Sequence, residues 1–531
     1  MRPHNPLLPD GGRWAIQEGG SRNLYVDGCE ESDSFIVPEN SLNKSGDNKP
    51  QAETREGRSG PMENMEQDGM RRTRSRTKAQ SCRRSVAAVK GMSPGLLRVR
   101  KAAKEDKDTR FTALLHHITP ETLEKSYYAL QKRAAPGVDG RTWEDYQRNL
   151  TEQLADLHSR IHKGTYRALP SLRVYIPKTD GKKRPLGIAA LEDKIVQQAV
   201  SEVLAAIYEG DFYGFSYGFR PGRGCHDALD ALYVAIRKRK INWVLDADIQ
   251  GFFDSISHEW MLRFLGRRIA DKRVLRLVAK WLKAGVVEEG KLSGTTGGTP
   301  QGAVISPLLA NVYLHYVLDD WIVWWRNKYA TGDVVVVRYA DDFIMGFQHK
   351  HEADLFLEAL RDRLSGFALS LHSEKTRLIE FGRFAAENRR KRGEGKPETF
   401  TFLGFTHICS VSWKEREFKI LRLTAKKGMR RTLSRLKEVL LARMHDGIDE
   451  VGPWLRKVVQ GYYNYFAVPD NLASLMSFRH ALGKIWHKVL CRRSQKGRMR
   501  LDVFIKWAMC WLPTPVVLHP YPSERFGAKH P

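Results

Sequence analysis

The sequence predicts an α+β protein with a basic helical region after the mixed core. Three observations carry this. Apolar residues recur at helical spacing from about residue 93, short β-branched runs alternate with helical segments up to about 420, and the pattern then turns helical and basic. A chain of 531 residues with 42% hydrophobic content has room for two to four domains and at least one large core.

Residues 1–92 are rich in Gly, Ser, Asn, Glu and Arg and lack apolar periodicity, so they predict a disordered basic extension. Within it, "RRTRSRTKAQSCRR" (71–84) reads equally as a nucleic-acid arm or a solvated linker, and Met62, Met65, Met70 and Met92 are alternative starts. The mixed region, 93–420, opens with the helical "SPGLLRVRKAAKEDKDTRFTALLHHI". Its strand candidates are "LRVYIP", "INWVLDADI", "DVVVVRYA", "DFIMGF", "TRLIEF" and "FTFLGF". Residues 421–490 are helical, as in "MRRTLSRLKEVLLARM", and 491–531 form a basic tail beginning "CRRSQKGRMR".

Lys and Arg number 88 against 61 Asp and Glu, a formal +27 with a pI near 9.8, which calls for a polyanionic partner. Residues 421–531 hold 21 of these bases and only 7 of the acids, so about half of the excess lies in the last fifth. An apolar run of about 20 residues is absent and no secretory leader is recognisable, which favours nucleic acid over membrane and predicts a soluble, cytoplasmic protein. The six cysteines are scattered without a C-x-x-C pair, so neither a disulfide framework nor a familiar zinc site is indicated.

The acids carry the chemistry. In "VVVVRYADDFIMGF" (334–347) an apolar strand leads to Asp341 and Asp342 at a predicted hairpin tip, and in "WVLDADIQGFFDSISHEW" (243–260) another delivers Asp246 and Asp248. After it Gly251 breaks the pattern and Ser257 is placed to cap a helix. Taken alone, an Asp-Asp turn is more often solvated. Carboxylates meeting in one cleft repel, however, and a bound cation relieves this. Mg²⁺ suits them, because it takes one or two carboxylates plus phosphate oxygens, and a pair of ions can serve an in-line phosphoryl displacement.

Two further stretches fit such a site. "VYIPKTDGKKRPLGI" (174–188) reads as a hairpin with Lys178 and Arg184 near its turn. "GTTGGTPQGAVISPLLANVYLHYVLDDW" (294–321) runs from a glycine loop, through Gln301, into a long helix.

These stretches, in this order, resemble the bacterial group II intron reverse transcriptases and maturases. "YADD" (339–342) is similar to the catalytic hairpin, "ADIQGFFDSISH" (247–258) to the first acidic motif, and "GGTPQGAVISPLLANVYL" (297–314) to the template-and-nucleotide motif. "IPKTDGKKRPLGI" and "YGFRPGRGCHDAL" resemble the fingers blocks, "AAPGVDG" (134–140) the block before them, and "FTFLGF" (400–405) the last block. The likeness covers about 95–531 and implies a right-hand polymerase: fingers and palm over 93–420, a helical thumb and maturase region over 421–490, and a nucleic-acid-binding tail over 491–531.

By this resemblance Asp248, Asp341 and Asp342 hold two Mg²⁺ ions, assisted by the Ile249 carbonyl, and Asp246 is a neighbour. Phe253 presses on the sugar where a 2′ hydroxyl would project, Lys178 and Arg184 contact the triphosphate, Gln301 lies near the incoming nucleotide, and Lys375 is a weaker candidate for protonating pyrophosphate. Arg456, Lys457, Tyr462, Tyr463, Arg492 and Arg493 fall in the implied RNA-binding region; aromatic rings there could stack on bases or build a core. Intron RNA, target DNA and dNTPs are the implied partners in a nucleoid-associated enzyme, with a homodimer left open. Nothing like an HNH nuclease module follows residue 500, so a primer from elsewhere is expected. The competing readings are an RNA-binding splicing factor that no longer polymerises and another bacterial reverse transcriptase, of retron or CRISPR-associated type. The intact acids oppose the first, and the maturase-like segment opposes the second.

Overall fold

The computed structural model describes residues 92–177, 183–294, 297–299, 301–412, 416–493 and 499–529. The predicted extension up to residue 91, its basic run 71–84 and Lys178 lie outside them. Order opens where the pattern indicates: Ser93 caps the Pro94–Glu105 helix by accepting from the Leu96 amide at 3.3 Å, and Pro94 stands at the first helical position, where its missing N–H costs nothing.

Eleven strands occur among the described residues: β1 Ser171–Pro177, β2 Lys183–Ile188, β3 Trp243–Asp248, β4 Val286–Glu288, β5 Lys291–Ser293, β6 Val334–Tyr339, β7 Asp342–Phe347, β8 Arg377–Glu380, β9 Phe400–Phe402, β10 Phe405–Val411 and β11 Phe418–Thr424. They form three sheets, ordered β2-β1-β4-β5, β6-β7-β3-β8 and β11-β10-β9. The six strand candidates all fall on strands. "FTFLGF", however, is two strands rather than one, because Leu403 and Gly404 take positive φ (46° and 76°) and turn the chain back on itself. The short β4 and β5, the end of β10, and β11 escape the sequence pattern.

The β6-β7-β3-β8 sheet divides two cores. Leu245, Ala247, Phe343, Met345 and Phe347 face a large helical core, which includes the Leu191–Tyr208 and Ser306–Leu314 helices. Val244, Val337, Tyr339, Ile344 and Ile379 face the other way, toward the Cys225–Lys238 helix and the β9–β11 sheet. The period-2 alternation of these strands therefore builds both cores, and their polar exceptions collect at one end of the sheet.

Beyond β11, the Lys426–Ala442, Ile448–Phe466, Leu472–Leu490 and Leu501–Trp511 helices share a third core around Leu440, Leu455, Val459, Phe478 and Trp486. Buried Asn471 fastens this bundle to β11, accepting from the Thr424 amide at 2.9 Å and donating to its hydroxyl at 2.7 Å. The end of the chain corrects an expectation. Residues 513–529, read as part of a nucleic-acid-binding tail, return to the mixed domain. There Phe526 enters the second core and Arg525 pairs with buried Asp230 on the Cys225–Lys238 helix.

His407, on β10, is fully buried, its ring stacked on Phe400 with centroids 4.6 Å apart. Burial, with Arg422 adding, pulls its pKa down to about 3. Below about pH 6.5 the unfolded chain therefore binds a proton that the folded chain refuses, and stability falls as pH drops from 6.5 toward 3. In denaturant titrations across that range, His407→Phe should remove a slope of at most about 1.4 kcal/mol per pH unit.

Candidate active site

β3 and β7 run antiparallel with Asp248 directly opposite Asp342. The His372 amide donates to the Asp248 carbonyl and the Gln250 amide to the Ser370 carbonyl, each at 2.8 Å. The main-chain groups of Asp248 therefore face away from β7, which makes Asp248 and Asp342 a non-hydrogen-bonded pair. That is the closer antiparallel spacing, about 4.5 Å between Cα atoms, with both side chains on one face. By the same alternation, the N–H and C=O of Ile249 face the β7 side while its side chain is buried in the large core.

The β6–β7 hairpin closes through only two residues, Ala340 and Asp341, since Tyr339 already pairs with Asp342. Asp341 thus sits at the turn, half-buried, beside the facing pair. Like charges directly opposite on a sheet destabilise it, and a cation is already present: the Lys375 ammonium bonds the Asp248 carboxylate. Asp246, on the same face, lies 3.7 Å from Arg377; burial pushes its pKa up to about 6, Arg377 opposes this, and Asp248 adds to it.

The residues fit a divalent ion of the kind expected. Among the described residues no three Asp, Glu, His or Cys side chains form a ready-made metal cage. The site offers instead two facing carboxylates, a third on the turn and a carbonyl aimed to their side. That suits an ion that keeps waters and takes its remaining ligands from phosphate.

The other motifs meet beside these acids through close backbone contacts. After β3, Gly251 (φ 56°) opens a one-turn helix, Phe252–Ser255, which carries half-buried Phe253; Ser257 then caps the next helix, accepting from the Trp260 amide at 3.4 Å. The Gly298 and Thr299 amides donate to the Ile256 and Phe253 carbonyls at 2.8 Å, so the glycine loop lies on that helix turn. Gly298 (φ 81°) is required there, because a Cβ would come within 3.0–3.1 Å of Asp254 and Phe253 backbone atoms. Three residues on from Gly298, the Gln301 carbonyl accepts from the Gly187 amide of β2 at 2.6 Å. The loop therefore joins Phe253 on one side to the β1–β2 hairpin on the other. Arg184 stands on that hairpin, in register with Ile176.

The implied RNA contacts divide. Arg456, Lys457 and Arg492 are exposed. Arg493 donates to the Asp446 carbonyl at 2.6 Å and braces the bundle. Tyr462 and Tyr463 are corrections: both are buried at 3% exposure or less, Tyr462 stacks on Phe478 with centroids 3.9 Å apart, and the Tyr463 hydroxyl donates to the Pro513 carbonyl at 3.2 Å. Their rings are committed to the protein core, so no base can stack on them in this arrangement.

Sequence reasoning passed over Arg338, Asn311 and Asp319, which lie directly behind the hairpin. The available signal was one Arg in an otherwise apolar strand, at a position that alternation assigns to the core.

Residues 176–407 match the family model of the reverse transcriptases, described as RNA-dependent DNA polymerases. The chain is 36% identical over 312 residues to protein YkfC of Escherichia coli, covering 52% of this chain and 81% of YkfC. It is also 36% identical over 239 residues to the group II intron-encoded protein LtrA of Lactococcus lactis, covering 44% of this chain and 39% of LtrA. A 91 kDa protein in the cob intron of Schizosaccharomyces pombe is 43% identical over 153 residues, 29% of this chain and 19% of that protein. The matched span and these relatives together define the class as RNA-directed DNA polymerase. Within that class, the chain belongs to the group II intron-encoded reverse transcriptases and maturases.

The buried rings make a direct test. Tyr462→Phe should leave stability and RNA affinity near wild type, whereas Tyr462→Ala should cost about 3–4 kcal/mol in denaturant unfolding and reduce RNA binding only as far as it unfolds the protein.

Proposed function

We propose that the chain binds its own group II intron RNA, assists its splicing, and copies it into DNA at a target site, with Asp248, Asp341 and Asp342 holding two Mg²⁺ ions. One observation carries the assignment of the site: Asp248 and Asp342 face each other in register, beside a loop that reaches both Phe253 and the β1–β2 hairpin. In this reading 93–420 are fingers and palm of a right-hand polymerase and 421–490 the thumb and maturase region. The basic part of the tail ends where the chain turns back at about 512.

When bound, the ions supply an activated 3′ hydroxyl and neutralise charge on the pyrophosphate. The protein's own part is to bind and orient. Phe253 fills the space beside the sugar and disfavours a 2′ hydroxyl, the Gln301 loop packs along the incoming nucleotide, and Lys178 and Arg184 close the hairpin over its phosphates. Lys375, on an exposed side chain, exchanges its present bond to Asp248 for the leaving group and gives it a proton. Arg456, Lys457 and Arg492 meet phosphates of the intron RNA, and Ile249 lends its carbonyl to the ion beside Asp248. The relatives named for introns support this role, and among the described residues no helix is long and apolar enough to cross a membrane.

Asp341→Ala should abolish dNTP incorporation on a primed RNA template while leaving affinity for the flanking intron transcript within about twofold, because the helical bundle is untouched. Primer extension that persisted in this variant would overturn the site; wild-type protein that bound the transcript without extending any primer would favour the splicing-factor reading. Neutralising Arg456 and Lys457 together should weaken transcript binding and flatten its log–log salt slope by about 1.5. An unchanged slope would take this face out of the RNA interface.

A further inference from the structure

Arg338 ends a run of four valines, two residues before Ala340 and three before Asp341, and it is fully buried. All five of its N–H groups are used. Nε and Nη2 donate to the two Asp319 carboxylate oxygens at 2.8 and 2.5 Å, Nη2 also to the Ser216 hydroxyl at 2.7 Å, and Nη1 to Asn311 Oδ1 at 3.1 Å and the Ala340 carbonyl at 2.9 Å. A buried ion pair is poor evidence of added stability, since desolvation of both charges offsets their attraction. What this one does is hold a particular piece of backbone.

That piece is the turn itself. Ala340 has φ 55°, a left-handed conformation that alanine rarely adopts and that persists only where its surroundings fix it. Arg338 holds its carbonyl. From the other side Gly218 lies flat against it, so closely that a Cβ would overlap the Ala340 nitrogen. Asn311 links the two restraints, accepting from Arg338 and donating to the Gly218 carbonyl at 2.7 Å. Asp319 is presented by a single π-helical stretch, His315–Asp319, a local irregularity of the sort often found at functional sites. Asn311 and Asp319 belong to the helical run that begins at Ser306, five residues after Gln301.

We propose that Arg338, Asp319 and Asn311 are a positioning network that fixes the Ala340–Asp341 turn against β3 and ties the acids to the helix bearing the Gln301 loop. This rests on the reading of Asp341 as a metal ligand. Lysine cannot replace Arg338, because an ammonium has neither the planar fork nor enough donors to reach Asp319, Ser216, Asn311 and Ala340 together.

The test uses the full chain and has two readouts: Mn²⁺ affinity by electron paramagnetic resonance without nucleotide, and steady-state primer extension normalised to active sites. Relative to wild type, Arg338→Lys should weaken Mn²⁺ binding about tenfold and lower kcat by at least as much, with KM for dNTP within about twofold, as loss of a ligand-orienting partner does. Leu455→Ala, in the distant helical core, should lower Tm without moving the Mn²⁺ midpoint. If Arg338→Lys fails to fold, Asn311→Ala, which removes one tie on each side of the turn, is judged by the same readouts. Mn²⁺ affinity and normalised kcat within twofold of wild type would overturn the proposal, leaving Arg338 a structural residue. Failure of the underlying site reading looks different: Asp341→Ala would then bind Mn²⁺ as wild type does.

Discussion

Two aspartates forced to face each other across β3 and β7 are the constraint on which the site depends. Their pairing follows from backbone register, so it cannot relax by a change of rotamer alone, and a slip of one residue would turn both strands inside out against two buried cores. Hydrophobic burial on both faces of the sheet thus holds two like charges where neither would go unaided. Lys375 on Asp248 shows the demand for a cation at this spot. An ordinary stabilising device would use a permanent, buried partner, as Arg338 does for Asp319; here the cation stands on an exposed and mobile-length side chain, which can be exchanged.

Around that pair the fold uses glycine contacts to bring distant blocks into register. Gly298 lets one loop lie on the backbone after β3, Gly302 (φ 107°) lets the same loop approach the Gly187 carbonyl of β2, and Gly218 lets a third segment lie against the β6–β7 turn. At each place a methyl group would have to displace main chain, which cannot retreat as a side chain does. Separate stretches of sequence therefore meet as backbone surfaces, and their side chains are aimed by those contacts.

Much of this was legible in the sequence. Strong alternation placed every strand of the acid-bearing sheet, and Gly251 and Ser257 announced their break and cap, because local chemistry decides those features. What stayed hidden depends on distant partners. The three-residue strand β4 is paired with β1 from far earlier in the chain and carries β5 on its other edge, while β11, too weakly patterned to read, is held by its neighbour β10. The role of Arg338 needs Ser216, Asn311 and Asp319, which lie up to 122 residues away. Tyr462 and Tyr463 mislead for a related reason: an aromatic beside basic residues has the same local pattern whether its ring faces solvent or a helix of its own bundle.

The charge excess of the C-terminal region needs the same correction. Composition alone suggests a broad cationic surface after residue 421, yet several of these cations are spent inside the protein. Arg422 and Arg525 share buried Asp230, Arg443 pairs with Asp446, and Arg479 and Arg493 are turned onto the Leu512 and Asp446 carbonyls. A charge neutralised by a near neighbour releases few counterions when a phosphate approaches, so it adds little to salt-dependent affinity. The exposed positive surface of this region is accordingly narrower than the composition implies. Among the described residues it includes exposed helix positions such as Arg456 and Lys457, while the inward-turned arginines brace the bundle itself or tie β11 and the chain's last helix to the Cys225–Lys238 helix.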